Sequence, residues 1–338
     1  MNREVKKILV VIGLIGSLIF LFQNIDLARA KDADYPTKPI EFYISMTAGG
    51  TSDTVTRALL NAASKHLGQP FVPINKLGGS GAIAIMTVRL AKPDGYTLGL
   101  HGPSTAFILP LSEGAPFKDI ADYTWIMNFG TYVWPLIVRD DAPWKTFKEF
   151  IEWAKKNPRA AKIGITAAKT ADCKGLVMWQ IEQREKVEFT YLPFRGSPEV
   201  LSAILGGHIN VWSSTLDIPM VSYIKEGKFR ILAYLGQKKI PGYEDIPSTE
   251  QLYGLKCGDL LAIYGPKDLP NFVLRKLENA FTKAVKDPDF VRVMNLMYMP
   301  IMFMDSATLT KYANETFLNT SKIYEKVKAE EAKEKERK

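Results

Sequence analysis

The sequence has few residues of the kinds that hold metals or act in catalysis. Only two cysteines, Cys173 and Cys257, and three histidines, His66, His101 and His208, occur among 338 residues. The histidines lie far apart in the sequence, and two cysteines alone do not form a metal site. We therefore expect no metal site and no cofactor. In an exported protein the two cysteines could instead form a disulfide, provided that their Cα atoms lie within about 7 Å.

The motifs of several enzyme classes are also missing. No glycine loop continues into Gly-Lys-Ser/Thr, which excludes a P-loop, and none forms G-x-G-x-x-G followed by a ribose-binding acid. Residues 102–106 faintly resemble a nucleophile elbow, but alanine stands where the motif requires its last glycine. We therefore predict a protein that is not an enzyme, and keep a secreted hydrolase using Ser104 as the alternative.

The N-terminus has the three parts of a secretory signal peptide. Arg3, Lys6 and Lys7 form a basic head, residues 8–22 are an almost uncharged apolar run, and Ala28 and Ala30 flank Arg29 as in a cleavage site. The run is shorter than the roughly 20 residues of a bilayer span, although an uncleaved anchor stays the alternative. No second long apolar stretch follows. The sequence thus predicts a signal peptide over residues 1–30 and a periplasmic mature chain.

The charge pattern points away from nucleic acid. The formal net charge is +8 at pH 7, but the basic residues are scattered and carry no nucleic-acid-binding signature. A mild positive field favours the approach of an anionic ligand, while solubility alone is the simpler explanation of the charge. Residues 328–338 mix Lys, Glu and Arg and are predicted to form a charged tail.

Strands and helices are predicted to alternate along the chain. Apolar residues follow strand and then helical spacing over residues 40–101, and the same alternation returns between residues 132 and 234. The predicted strands include residues 71–75, 97–101 and 132–138, and the predicted helices include residues 288–296 and 306–327. Thr146 and Glu149 form a capping box that is predicted to begin another helix. Such alternation is typical of βαβ units with a parallel sheet. No long linker divides the chain. The sequence predicts an α/β protein with a ligand cleft between two lobes, one built from residues 31–135 and 261–327 and the other from residues 136–260.

Three predicted loops after strands are suited to bind an anion. Gly49 and Gly50 precede a helix, residues 78–81 precede a second, and Arg195 with Gly196 precedes a third. Backbone N–H groups at a helix N-terminus attract a carboxylate, and a guanidinium can hold one through two hydrogen bonds. Asp53, at the head of the first helix, is predicted to be its N-cap, since its charge opposes a directly bound carboxylate.

Several motifs in a fixed order resemble the Bug-type extracytoplasmic solute receptors of tripartite tricarboxylate transporters. The likeness runs from residue 35 to about residue 327. It rests on Tyr-Pro-Thr-Lys-Pro-Ile at 35–40, Gly-Gly-Thr-Ser-Asp at 49–53, Asn-Lys-Leu-Gly-Gly-Ser-Gly at 75–81, Pro-Asp-Gly-Tyr-Thr-Leu at 93–98, and the segment from Pro-Phe-Arg-Gly-Ser to Leu-Gly-Gly at 193–207.

This resemblance implies a type II periplasmic-binding-protein fold, two α/β lobes with a ligand cleft between them. It implies a small organic anion as ligand, and large and small integral membrane subunits as partners. The chain departs from the family's usual pattern at residues 46–48, at residues 166–173, and where Ser213, Ser214 or Thr215 replaces an acid. The candidate ligand-binding residues are Thr47, Ala48, Gly49, Gly50, Asp53, Gly78, Gly79, Ser80, Ser104, Thr166, Ala168, Lys169, Thr170, Phe194, Arg195, Gly196 and Ser214.

The main hypothesis from the sequence is therefore a monomeric receptor that captures a small carboxylate by closure of two lobes and delivers it to a membrane transporter. A binding protein that serves as a sensor input, with no role in transport, is a further alternative beside the hydrolase.

Overall fold

The computed structural model describes residues 35–165, 172–194, 197–216, 218–236, 239–240, 242–255 and 260–336. The predicted signal peptide and Cys257 lie outside these residues. The described chain forms two sheets with helices packed around them, which confirms the predicted two-lobed α/β architecture. We call the part built on the first sheet lobe 1 and the part built on the second sheet lobe 2. The lobe boundaries placed at residues 135 and 260 stay predictions.

Lobe 1 contains a six-stranded sheet. Its strands, in chain order, are β1 Ile40–Ile44, β2 Phe71–Asn75, β3 Thr97–His101, β4 Tyr123–Gly130, β10 Ala262–Pro266 and β11 Ile301–Met304. The spatial order is β11-β4-β10-β3-β1-β2. Its helices are α1 Thr51–Leu67, α2 Ala82–Arg89, α3 Pro103–Phe107, α9 Asn271–Ala284, α10 Pro288–Leu296 and α11 Ser306–Glu336.

Lobe 2 contains a five-stranded sheet. Its strands are β5 Pro135–Arg139, β6 Lys162–Ile165, β7 Thr190–Pro193, β8 Val211–Ser213 and β9 Phe229–Tyr234, in the spatial order β7-β6-β8-β5-β9. Its helices are α4 Phe147–Lys156, α5 Cys173–Glu185, α6 Ser197–Leu205, α7 Ile218–Lys225 and α8 Thr249–Tyr253.

Each sheet is mixed, and the predicted parallel sheet is only part of it. β1 pairs in parallel with β2 and β3, and β6 pairs in parallel with β7 and β8. β10 and β5 are antiparallel to their neighbours. The chain leaves lobe 1 after β4 and returns to it at β10, and the first strand after each crossing, β5 or β10, runs opposite to its neighbours. Such antiparallel strands on a parallel sheet are common in large α/β folds.

Aromatic and aliphatic side chains fill the core of each lobe. In lobe 1 the Phe71 ring lies 6.4 Å from that of Phe42 and 5.3 Å from that of Phe281, which joins β1 and β2 to α9. In lobe 2 the fully buried Trp212 of β8 belongs to the same hydrophobic core cluster as Val200 of α6. Burying such side chains removes apolar surface from water, which is the dominant favourable contribution to folding.

Several predicted elements differ from the structure at their ends. The strand predicted over residues 132–138 begins only at Pro135, and the helix predicted to end at Val327 continues to Glu336, through most of the charged tail. Strands β4 and β11 were not predicted. Thr146 does cap α4 as predicted, because its Oγ1 accepts the Glu149 N–H at 3.2 Å.

Candidate functional site

A cleft of about 730 Å³ lies between the two lobes. Most of its lining residues lie in the segments that follow strands of the two sheets, the position where ligands bind in open α/β folds. It is lined by Met46, Thr47, Ala48, Gly49, Gly50, Thr51, Ser52, Gly102, Pro103, Ser104, Thr105, Tyr132, Trp134, Asp172, Lys174, Ser197, Pro198, Thr215, Ile218, Pro219 and Met297.

The N-termini of helices from both lobes meet at this cleft. Gly50, the N-cap of α1, lines it from lobe 1. Asp172, Ser197 and Ile218, at the beginnings of α5, α6 and α7, line it from lobe 2. The first N–H groups of a helix have no acceptor within the helix, and the helix dipole adds partial positive charge there. The cleft is therefore suited to hold an anion.

The loop of residues 47–50 is open towards the cleft. All four residues are exposed, and Gly49 has a φ of +76°, in the left-handed region that glycine adopts without strain. Gly50 is the N-cap of α1 but has no side chain that could cover the helix end. Thr47, Ala48, Gly49 and Gly50 thus lie where the sequence predicted a carboxylate-binding loop, and their role in binding stays a prediction.

Asp53 stabilises this loop from behind. It lies inside the first turn of α1, so the predicted N-cap assignment is wrong and Gly50 takes that position. Its buried carboxylate accepts hydrogen bonds from the Gly49 N–H at 2.8 Å, from Arg57 at 2.9 Å and from Asn75 at 2.9 Å. Burial opposes ionisation, but these donors keep the pKa of Asp53 below its usual value. Asp53 does not line the cleft among the described residues.

The side of the cleft that belongs to lobe 2 contains an ion pair that was not predicted from the sequence. Lys174 donates to Asp172 Oδ2, and the two side chains are only 4% and 6% exposed. Asp172 is also the N-cap of α5, since Oδ1 accepts the Lys174 N–H at 3.1 Å. The Lys174 ammonium lies 4.0 Å from the centroid of the Trp134 ring. The feature of the sequence that could have indicated this ion pair is an aspartate just before a predicted helix, with a lysine two positions later.

The base of the cleft is formed where the chain crosses from β4 to β5. The rings of Tyr132 and Trp134 stack with their centroids 4.7 Å apart. The Tyr132 hydroxyl and Ser52 Oγ are 2.7 Å apart, which ties the crossing to the first turn of α1. Burial raises the pKa of Tyr132 to about 12, so its hydroxyl stays protonated at neutral pH.

Ser104 forms a contact between the lobes. Its hydroxyl, at the beginning of α3 in lobe 1, donates to Asp172 Oδ1 of lobe 2 at 3.4 Å. A Ser-His-Asp hydrolase needs a histidine within hydrogen-bond reach of the serine. Among the described residues Ser104 makes no hydrogen bond to a histidine, and the His101 ring instead contacts Thr105 Oγ1 at 3.2 Å.

Other predicted site residues lie away from the cleft lining. Gly78, Gly79 and Ser80 are exposed in a loop before α2 and do not line the cleft. Phe194 also lies outside the lining, and Ser214 is buried behind it, 2.9 Å from Ser197 Oγ. Six candidates lie outside the described residues: Thr166, Ala168, Lys169, Thr170, Arg195 and Gly196.

Searches against known proteins identify the family. Residues 55–328 match the family described as tripartite tricarboxylate transporter family receptor. The chain belongs to this family. The receptor is 31% identical over 302 residues to a UPF0065 protein in the gbd 5′ region of Cupriavidus necator, an alignment that covers 89% of this chain and 90% of that protein. The resemblance seen in the sequence is therefore confirmed.

Solved structures share the periplasmic-binding-protein fold. A TctC solute-binding protein from Polaromonas is 26% identical, with a TM-score of 0.72 over 86% of this chain and 99% of that one. A Rhodopseudomonas palustris protein with adipate is 22% identical, with a TM-score of 0.75 over 86% of this chain and 98% of that one. The receptors of this family are periplasmic solute-binding proteins and not enzymes.

None of the helices in the described residues is long and apolar enough to cross a membrane. Within the same residues, no group of three or more His, Cys, Asp or Glu side chains could hold a metal ion.

Proposed function

We propose that this receptor captures a small organic anion by its carboxylate in the cleft between the lobes and delivers it to the membrane subunits of a tripartite tricarboxylate transporter. The observation that carries the proposal is the meeting of helix N-termini from both lobes at one cleft: α1 from lobe 1, and α6 and α7 from lobe 2, beside α5, whose first turn is capped by Asp172. Family membership and the likeness in fold to a protein with bound adipate support it.

Binding would close the cleft because the anion is shared between the lobes. The N–H groups at the first turn of α1 and those of the lobe 2 helices approach the same volume from opposite sides. A carboxylate held by donors of both lobes stabilises the closed arrangement over the open one by its differential affinity. The Ser104 to Asp172 contact already spans the two lobes in this arrangement.

The receptor would act in the periplasm, after removal of a signal peptide over residues 1–30. The basic head, apolar run and Ala-Arg-Ala sequence support this location. Mass spectrometry of the exported protein tests it directly: a mature N-terminus at Lys31 is expected, and a retained residue 1 would indicate an anchor instead.

The test of the binding function is a thermal-shift screen of the mature protein against organic acids. An acid present at 100 times its Kd is expected to raise the free energy of unfolding by roughly 2.7 kcal/mol. The control is the corresponding amide of each acid, which keeps the body and removes the charge. Equal stabilisation by an acid and by its amide would contradict capture through a carboxylate. The absence of stabilisation by every acid in the screen would contradict it as well. Uptake into vesicles that contain the membrane subunits, with and without the receptor, tests delivery.

A further inference from the structure

We propose that the ligand is a monocarboxylate with an apolar body, such as an aromatic or aliphatic acid, and not a citrate-like acid with several charges. This inference rests on the proposed function, which assigns the carboxylate to the helix N-termini. The new content is the chemistry of the rest of the ligand, which the side chains around the mouth and the base of the cleft select.

Apolar side chains line the mouth of the cleft from both lobes. Met46 and the half-buried Met297 contribute from lobe 1, and Ile218 and Pro219 contribute from the beginning of α7 in lobe 2. Ile218 is 58% exposed. A single exposed apolar residue is ordinary on a protein surface. Here, however, the exposed Ile218 and Pro219 line the same cavity as the two half-buried methionines of the other lobe, so an apolar ligand body between them would remove apolar surface of both lobes from water.

The apolar lining continues down to the base of the cleft. A Cβ added at Gly102 would lie 3.4 Å from Met46 Cε and 3.6 Å from the Tyr132 hydroxyl, so these groups pack closely around the glycine. Trp134 lies beside Tyr132. Met46 and Met297 have flexible thioether side chains that adapt to the outline of an apolar ligand. The surface that faces a ligand body is therefore largely hydrocarbon, sulfur and aromatic ring.

The described side chains of the lining supply no unpaired cation for a second carboxylate. Lys174 is the one basic residue among the lining residues that the structure describes, and its ammonium is paired with Asp172. A second or third ligand carboxylate beside these residues would lose its water and gain hydroxyl partners, such as Ser104 and Thr215, but no cationic one, which compensates poorly for the lost hydration of a charge. A ligand with one carboxylate avoids this cost.

The volume also suits a ligand with a sizeable body. The cleft encloses about 730 Å³, within the range of about 300–1,000 Å³ that is typical of pockets for drug-sized molecules. A small acid such as acetate would leave most of the apolar lining in contact with water.

Calorimetric titration with five acids tests the inference: acetate, hexanoate, phenylacetate, adipate and citrate. We expect hexanoate or phenylacetate to bind about tenfold more tightly than adipate and citrate, with a negative heat-capacity change from apolar burial. Tighter binding of adipate or citrate than of both apolar acids would overturn the inference and leave the proposed function intact. If none of the five acids binds, the inference is overturned. The proposed function is then tested by the thermal-shift screen of organic acids and their amides alone.

Variants locate the apolar contact. Ile218→Thr keeps a β-branched side chain in the cleft mouth and makes it polar, so hexanoate affinity is expected to fall by about tenfold, while acetate affinity changes by roughly twofold at most. Ile83→Thr is the matched control, because Ile83 is 47% exposed and lies outside the cleft lining. Equal hexanoate affinities in the two variants would overturn the assignment of Ile218, even if both variants lose some stability.

Discussion

The ammonium of Lys174 lies 4.0 Å from the centroid of the Trp134 ring, and it is paired with Asp172 at the same time. Trp134 lies in the crossing between the lobes, while Lys174 and Asp172 lie at the beginning of α5 in lobe 2. A buried charge persists only with close partners. The pair therefore fixes the beginning of α5 against the base of the cleft, next to the volume assigned to the ligand.

The first prediction concerns this pair. Lys174→Met should lower the free energy of unfolding by about 3–5 kcal/mol, because it leaves the Asp172 carboxylate buried without its cation. The double variant with Asp172→Asn should recover most of that loss. Lys155→Met is the control: Lys155 is 36% exposed and pairs with Glu152 and Glu185, so it should cost about 1 kcal/mol or less. Urea unfolding measures all three, and similar costs for Lys174→Met and Lys155→Met would show that burial of the pair does not matter.

The second prediction separates the two glycine loops. Gly50 lines the cleft with a φ of −71°, which valine also adopts, whereas Gly79 lies outside the lining with a φ of +55°. Gly50→Val should weaken binding of an identified acid by about tenfold or more, while its melting temperature changes modestly. Gly79→Val should lower stability by about 1–2 kcal/mol through backbone strain and leave affinity nearly unchanged. Normal binding by Gly50→Val would show that the ligand does not rest on this loop.

The third prediction is a pH dependence of stability. Complete burial lowers the pKa of His101 from 6.5 to about 3. Between pH 3 and pH 6.5 His101 is therefore protonated in the unfolded chain but not in the folded chain. Stability should therefore fall as the pH drops from 6.5 towards 3, by about 1.4 kcal/mol per pH unit from this residue, and its contribution should be complete above pH 6.5.

Urea unfolding at several pH values checks this. His101→Gln should make the slope of stability against pH shallower by about one proton, whatever its effect on stability at neutral pH. His66→Gln is the control, because His66 is exposed near the end of α1. An unchanged slope in His101→Gln would mean that another group causes the loss of stability in acid.

The fourth prediction concerns Arg195, which lies outside the described residues. If its guanidinium holds the ligand carboxylate as the sequence predicts, Arg195→Ala removes a charged hydrogen bond worth about 1.5–3 kcal/mol. Affinity for an identified acid should then fall by about tenfold or more. Arg159→Ala is the control, because the exposed Arg159 pairs with Glu188. Calorimetry that shows equal affinities for the two variants would remove Arg195 from the site.

Local sequence determined many elements and the family of this protein. Strands β2 and β3 and helix α10 have the predicted bounds, and α1 ends where Gly68, with a φ of 79°, donates its N–H to the Ser64 carbonyl. These features depend on side-chain periodicity and on glycine and proline within a few residues. The loop of residues 47–50 was found for the same reason, since it lies between a strand and a helix that are both evident in the sequence.

Tertiary structure alone decided how the cleft is assembled. Ser52 and Tyr132 share a hydrogen bond across 80 residues of sequence, and Ser104 meets Asp172 across 68. The antiparallel strands β5 and β10 and the contact of Lys174 with Trp134 likewise depend on where the chain crosses between the lobes. Sequence periodicity reports which face of an element is buried, but not which distant element covers it, because that choice is made by the packing of the whole chain.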